Sequence, residues 1–138
     1  MSNIRPLSQS LQKKAIQELK EVPAKIDIEL DDLRQWIHHF PHLKARLDDQ
    51  FLITFLRSSK HNIERAMRKI EMFYTCRTSL PELMMNRDPL DPHILEIVRL
   101  GIGLPLPLTD KSDSPRVILI RPGAYDATRY KMIDIMKV

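Results

Sequence analysis

Few residues of this 138-residue chain could do chemistry. His38, His39 and His42 lie close in sequence, but adjacent helical residues point in different directions, and Pro41 interrupts the spacing of His38 and His42. No second cluster of metal ligands lies near them, and Cys76, the single cysteine, has no neighbouring histidine to activate it. The pattern predicts no metal site and no catalytic centre, so we expect that the protein is not an enzyme.

The composition also disfavours nucleotide cofactors. The chain has only 3 glycines, and neither a Gly-x-Gly-x-x-Gly sequence nor a phosphate-binding loop of the Walker type occurs. We therefore predict that the protein holds no cofactor.

Basic residues are concentrated in one segment. Between Arg57 and Arg77 there are six bases and two acids, which gives this segment the same formal charge, +4, as the whole chain. Such a segment attracts phosphate groups on an acidic membrane or on nucleic acid, although a solvated helix face would explain the same charges. Nucleic acid is the weaker alternative and is not expected as a partner, because no recognised DNA- or RNA-binding motif and no interleaved aromatic residues occur.

The apolar segments are short. The longest useful run is Val117–Ile120, whereas a bilayer-spanning helix needs about 20 apolar residues. No signal-peptide pattern opens the chain, and a single cysteine cannot form an internal disulfide. These features predict a cytoplasmic protein without a transmembrane segment.

The elements that would position these residues begin with five helices, predicted from apolar residues at helical spacing. The helices centre on Leu11–Leu19, Leu30–Phe40, the segment after Asp48, Asn62–Pro81 and the segment that opens at Asp91–Pro92.

Beyond Gly101 the pattern changes to that of strands. Leu104–Pro107 and Pro115–Ile120 predict two strands around the polar loop 109–114, and the second strand is apolar on both faces. Such a strand is typical of a layered α/β sheet. Asp126 then predicts the cap of a closing helix that runs to the end of the chain. Two strands and one helix do not complete such a sheet, so we expect a helical unit followed by the opening of a second domain. Either the protein is a fragment or a short form, or its exposed sheet surface is covered by something else.

Several segments resemble the CRAL-TRIO family of lipid-binding proteins. Asp49–Lys60 resembles the family's N-terminal helical signature, which leads to Phe-Leu-Arg, and Asn62–Ala66 resembles the start of its long helix. Asn86–Pro89 and Arg116–Gly123 are similar to the insect alpha-tocopherol-transfer-protein-like branch. The resemblance covers roughly residues 27 to 138.

The resemblance implies an α+β/α/β fold, in which an all-α N-terminal domain precedes the truncated start of an α/β lipid-binding domain. The domains would be an N-terminal helical arm at 1–26, a helical domain at 27–100 and the incomplete lipid-binding domain at 101–138. The implied function is the binding and intracellular transfer of a small hydrophobic lipid, such as a tocopherol, retinoid or phospholipid. Peripheral docking on phosphoinositide-containing membranes would accompany it.

The resemblance also assigns candidate site residues. Arg57 matches the arginine of Phe-Leu-Arg, and Lys60 is the base nearest to Ser59, which stands where the tocopherol-carrier branch has a second phosphoinositide-contacting arginine. A salt bridge to a neighbouring helix is the alternative role for Arg57. The predicted lipid-pocket residues are Ile102, Ile118 and Ile120, for which ordinary core packing is the alternative. The alternative function is a truncated helical interaction module that binds a protein or an acidic membrane without a ligand.

Overall fold

The computed structural model describes residues 2–85, 87–107 and 115–137. The chain forms two compact units, Met1–Cys76 and Arg77–Val138. This division into compact units does not test the predicted domains 1–26, 27–100 and 101–138, which stay a prediction.

The first unit is helical, as the apolar spacing predicted. Two of its helices begin after a capping side chain: the Asp48 carboxylate accepts a hydrogen bond from the Phe51 amide (3.0 Å), and Asn62 Oδ1 accepts one from the Arg65 amide (2.9 Å). The helices are α1 (Gln9–Leu19), α2 (Ile26–His38), α3 (Asp49–Ser58) and α4 (Ile63–Ser79), with a 3₁₀ turn at Pro23–Lys25.

The core of this unit lies among α2, α3 and α4. Its eight buried side chains are at most 4% exposed and recur three or four residues apart on each helix, so that each helix turns one apolar face inward. They are Leu30, Leu33, Ile37, Leu52, Ile53, Leu56, Ala66 and Ile70.

In the second unit the chain alternates short helices with a small sheet. The helix that we expected at Asp91–Pro92 is confirmed: the Asp91 carboxylate accepts hydrogen bonds from the amides of His93 (2.8 Å) and Ile94 (3.2 Å). Pro81 ends the long helix, as predicted, and also begins a further helical turn that the pattern did not indicate. The helices are α5 (Pro81–Met84), α6 (Pro92–Arg99) and α7 (Met132–Met136).

The two predicted strands are confirmed as an antiparallel pair, β1 (Gly103–Pro105) and β2 (Ile118–Ile120). Leu104 lies opposite Leu119 in the register. The layered sheet that we expected around β2 is not found among the described residues, because all three residues of β2 are exposed, Ile120 by 68%. The predicted loop 109–114 lies outside the described residues, as does Asn86 of the resemblance.

The predicted closing helix is wrong in its start. Asp126 Oδ1 accepts hydrogen bonds from the Thr128 amide (2.8 Å) and the Thr128 hydroxyl (2.7 Å), and residues 127–129 form a turn. A short acidic side chain followed two residues later by threonine satisfies such a turn locally, and this competes with helix formation. The helix α7 begins only at Met132, after the turn that buries Tyr130.

Candidate functional site

An apolar cleft of about 240 Å³ lies in the second unit. Helix α6 provides one wall, the two strands provide another, and α7 contributes a single residue. The lining residues are Ile97, Val98, Ile102, Gly103, Ile118, Ile120 and Ile135, and we call this site the apolar cleft.

The three isoleucines that the sequence pointed to meet at the apolar cleft. Ile118 and Ile120 lie two residues apart on β2 and therefore on the same face, while Ile102 directly precedes β1 and accepts a backbone hydrogen bond from Arg121 (2.7 Å). Ile97 is buried, whereas Ile118 and Ile120 are 62% and 68% exposed. Ordinary core packing therefore does not describe the two strand residues, while their role in lipid binding stays a prediction.

Gly101 sets the direction in which the chain enters the cleft. It follows the last turn of α6 with a φ of 65°, and its amide donates to the Val98 carbonyl (3.0 Å). A left-handed residue at this place ends a helix, and glycine adopts this conformation at little steric cost. The turn carries the chain from α6 directly to Ile102, so that helix and strand line the same cleft.

In the first unit, Arg57 makes an intramolecular ion pair. Its Nε donates to Glu21 Oε2 (2.7 Å) and its terminal nitrogen to Oε1 (3.3 Å), and Gln12 also donates to Oε1 (2.8 Å). The Glu21 side chain is fully buried, and Arg57 is 18% exposed. The salt bridge that was the alternative role for Arg57 is thus present. It joins α3 to the segment after α1.

This ion pair changes the titration of Glu21. Burial raises the pKa of the carboxyl group, but the hydrogen bonds from Arg57 and Gln12, together with the nearby positive charge, outweigh burial. The pKa of Glu21 therefore lies below its ordinary value of 4.5, and the group is a carboxylate at neutral pH.

Lys60 lies at the end of α3 in an uncommon backbone conformation. The φ angles of Lys60 and His61 are 53° and 55°. The Lys60 amide donates to the Arg57 carbonyl (3.1 Å) and the His61 amide to the Leu56 carbonyl (2.8 Å), which is the hydrogen-bond pattern of a Schellman cap. Glycine is the usual residue at this left-handed position, and a side chain there costs roughly 1–2 kcal/mol. The Lys60 side chain is exposed.

His61 extends the buried ion pair of Glu21 and Arg57 into a larger polar network, which the sequence analysis did not predict. Its side chain is 4% exposed, with Nδ1 2.5 Å from Glu29 Oε2 and Nε2 3.5 Å from Glu21 Oε2. Glu21, Glu29 and His61 thereby connect the segment after α1, helix α2 and the end of α3. No local spacing signals such contacts, because the paired residues are more than 30 positions apart in the sequence.

The predicted absence of metal chemistry concerns three histidines, His38 at the end of α2, and His39 and His42 after it. Within the described parts of the chain, no three His, Cys, Asp or Glu side chains are grouped as metal ligands, and His39 Nδ1 lies 2.7 Å from the Gln35 carbonyl. None of the described helices has the length and hydropathy that a membrane-spanning helix needs.

Comparison with known proteins identifies relatives. The chain is 31% identical over 129 residues to the human and mouse proteins named alpha-tocopherol transfer protein-like, an alignment that covers 93% of this chain and 37% of each relative. Clavesin-2 of Rattus norvegicus is 27% identical over 133 residues, covering 95% of this chain and 40% of that protein. The chain therefore spans less than half the length of these relatives. No solved structure matches it.

These names bear on the resemblance found in the sequence. Proteins named alpha-tocopherol transfer protein-like and clavesin confirm the similarity to CRAL-TRIO proteins at the level of the family, while an insect branch is not confirmed. A family model described as "Pinta-like, UBA domain" matches residues 22–94, which is more than half of the chain. The chain belongs to this Pinta-like family.

Proposed function

We propose that the protein binds a small hydrophobic lipid and transfers it within the cell, and that the apolar cleft is part of the lipid site. The observation that carries the proposal is the convergence of Ile118 and Ile120 on β2, and of Ile102 directly before β1, with the apolar side of α6. The names of the relatives, which refer to alpha-tocopherol transfer, support the choice of a lipid. Binding rather than catalysis is the proposed activity.

Exposed isoleucines at the rim of the apolar cleft supply the driving force. Ile118 and Ile120 leave most of their surface in water. A ligand that covers roughly 100 Å² of apolar surface gains about 2.5 kcal/mol at 25 cal/mol per Å². This corresponds to an affinity increase of nearly two orders of magnitude, which substitutions at the rim should remove.

Lipid binding at the apolar cleft can be tested with two isoleucines that have the same exposed fraction. Ile118 on β2 and Ile28 on α2 are both 62% exposed, but only Ile118 lines the apolar cleft. We expect Ile118→Asp to weaken the binding of α-tocopherol at least tenfold and Ile28→Asp to leave it unchanged, measured by equilibrium dialysis. Equal losses in the two variants, or no binding by the unmodified protein, would contradict the proposal.

We further propose that Lys60 docks the carrier on phosphoinositide head groups. Its exposed ammonium group extends from the turn after α3, and Lys69 Nζ donates to the Ser58 carbonyl (2.6 Å) at the same helix end. Two positive charges at this end attract phosphate, whereas the Arg57 guanidinium is occupied by Glu21. A lysine at a left-handed position where glycine would be less strained is consistent with a functional role.

Vesicle sedimentation tests this docking role. We expect Lys60→Ala to reduce binding to vesicles that contain phosphatidylinositol bisphosphate, while Lys13→Ala, which removes an exposed lysine of α1, should not. Phosphatidylserine vesicles of matched surface charge measure the non-specific attraction. Equal binding of both vesicle types would reduce the effect to general charge and contradict head-group recognition.

A second function, an interaction module without a ligand, is favoured by one observation. The short strand β2 exposes three consecutive apolar residues, Ile118, Leu119 and Ile120. An exposed apolar strand can pair with an extended segment of another protein. Failure of α-tocopherol and of other lipids to bind, together with capture of a defined apolar peptide by β2, would favour this alternative.

A further inference from the structure

A second cleft adjoins the apolar cleft along helix α6. Its volume is about 430 Å³, and Val98 lines both clefts. The lining residues are Arg87, Pro89, Ile94, Val98 and Lys137, and we call it the cationic cleft. Three of these residues are apolar and the other two carry positive charge, so this cleft combines an apolar wall with a charged end.

Arg87 and Lys137 both line the cationic cleft, and the backbone of Lys137 is bound to Arg87. Arg87 Nε donates to the backbone carbonyl of Lys137 (2.9 Å), which ties the segment before α6 to the end of α7. This bond occupies one guanidinium N–H and leaves the fork of terminal nitrogens available. The Lys137 ammonium group is not used by the bond, which involves only its backbone. Because both side chains line the cleft, two positive charges border its apolar wall.

The carboxylates of the surrounding described residues are engaged elsewhere. Asp88 Oδ1 accepts from the Leu90 amide (2.9 Å), Asp134 lies 3.5 Å from His93 Nε2, and Glu96 binds Arg129 and the Tyr130 hydroxyl. No carboxylate of a described residue lies within 4.0 Å of the Arg87 or Lys137 charges. Two cations that share a cleft and have no counterion among the described residues favour an anion supplied by a ligand.

We propose that the bound lipid is a single-chain amphiphile with an anionic head group. Its hydrocarbon chain would lie in the apolar cleft, and its carboxylate or phosphate would meet Arg87 and Lys137. A guanidinium group can donate two parallel hydrogen bonds to either head group, and an ammonium group adds a point charge. This inference rests on the proposed lipid-binding function and narrows the ligand class from any apolar lipid to an anionic one.

Matched ligands test the charge directly. Oleate and oleyl alcohol share one chain and differ in the head group, and 1-oleoyl-lysophosphatidic acid replaces the carboxylate by a phosphate. Binding to the full 138-residue chain would be measured by titration calorimetry below the aggregation concentration of each lipid. We expect oleate or the lysophosphatidic acid to bind at least tenfold more tightly than oleyl alcohol, and the tighter of the two identifies the head group.

Charge-removing variants connect the preference to the cationic cleft. Lys137→Gln should lower the affinity for the anionic lipid about tenfold and leave oleyl alcohol unchanged. Lys131→Gln, which removes an exposed lysine just before α7, is the matched control and should change neither. Arg87→Lys keeps the charge but loses the fork, so it should weaken the anionic lipid less than Arg87→Gln does. Circular dichroism verifies that each variant is folded.

The possible failures are distinct. Equal affinity for oleate, the lysophosphatidic acid and oleyl alcohol would overturn the anionic head group while leaving lipid binding intact. An anionic preference that Lys137→Gln does not reduce would overturn the assignment to the cationic cleft. Absence of binding by all three lipids and by α-tocopherol would refute the proposed function itself, and the inference with it.

Discussion

Replacing Glu21 by glutamine removes one charge from a buried ion pair of the first unit. The side chain is fully buried, and its two oxygens accept hydrogen bonds from Arg57 at 2.7 and 3.3 Å and from Gln12 at 2.8 Å. Glutamine fills nearly the same volume, so no cavity is created. Its amide group, however, offers one acceptor oxygen in place of two and leaves the Arg57 guanidinium without a counterion.

The expected cost follows from these contacts. A hydrogen bond to a charged group contributes about 1.5–3 kcal/mol, and removal of one partner of a buried ion pair costs about 3–5 kcal/mol. Arg57 keeps 18% exposure and can recover some hydration, which places the effect at the lower end of that range. We therefore expect Glu21→Gln to lower the free energy of unfolding by about 3 kcal/mol.

The single tryptophan allows this loss to be measured in the correct unit. Trp36 lies on α2 and packs against the core of the first unit, so its fluorescence during urea unfolding reports on that unit. Glu18→Gln is the control, because Glu18 is an exposed glutamate of the nearby helix α1. If the two variants differ by less than about 0.5 kcal/mol, the usual range of surface substitutions, the buried ion pair does not stabilise the fold as we infer.

Three further predictions concern the same unit. Lys60→Gly should raise the free energy of unfolding by about 1 kcal/mol in urea, because glycine relieves the left-handed φ of 53°; no gain would mean that the turn is unstrained. Because the pKa of Glu21 is lowered in the fold, its contribution to the free energy of unfolding is complete above pH 4.5 and is lost as the pH falls below that value. An acid titration followed by Trp36 fluorescence should therefore show a smaller loss of folding stability for Glu21→Gln than for the unmodified protein. Leu52→Ala, at a fully buried site, should lower the free energy of unfolding by about 2–5 kcal/mol, measured by calorimetry. A decrease below about 1 kcal/mol would contradict the place of Leu52 in the core.

The helices could be predicted from the sequence because their signals are local. Spacing of apolar residues fixed the inward faces of α2, α3 and α4, and a capping side chain within three residues marked the starts after Asp48, Asn62 and Asp91. The same local reasoning failed at Asp126, because its carboxylate satisfies a turn as readily as a helix. A cap residue indicates that a turn begins and does not determine how many turns follow.

Features that depend on distant residues could not be predicted in the same way. The burial expected for β2 rested on its own composition, whereas burial depends on which other segments cover the strand. The contacts of Glu21 with Arg57 and of Glu29 with His61 span 36 and 32 residues, and no periodicity records them. The isoleucines of the apolar cleft came from strand alternation combined with family resemblance, while the cations of the cationic cleft lie 50 residues apart and gave no signal.

Arg57 and Lys60 illustrate why proximity in sequence does not imply a shared role. Both are bases at the end of α3, and the sequence grouped them as one phosphate-binding pair. The structure gives Arg57 a buried counterion and leaves Lys60 exposed on a left-handed turn. Their effects should therefore separate: Glu21→Gln should reduce stability and preserve vesicle binding, and Lys60→Gly should increase stability and weaken vesicle binding.

This opposite pattern is informative because a general loss of folding cannot produce it. Vesicle sedimentation under conditions in which every variant is folded, together with urea unfolding, measures both properties in the same proteins. Parallel loss of stability and binding in both variants would refute the division of roles. Stronger vesicle binding by Glu21→Gln would show that Arg57, released from its counterion, reaches the head group, because the buried carboxylate is the charge that otherwise neutralises it.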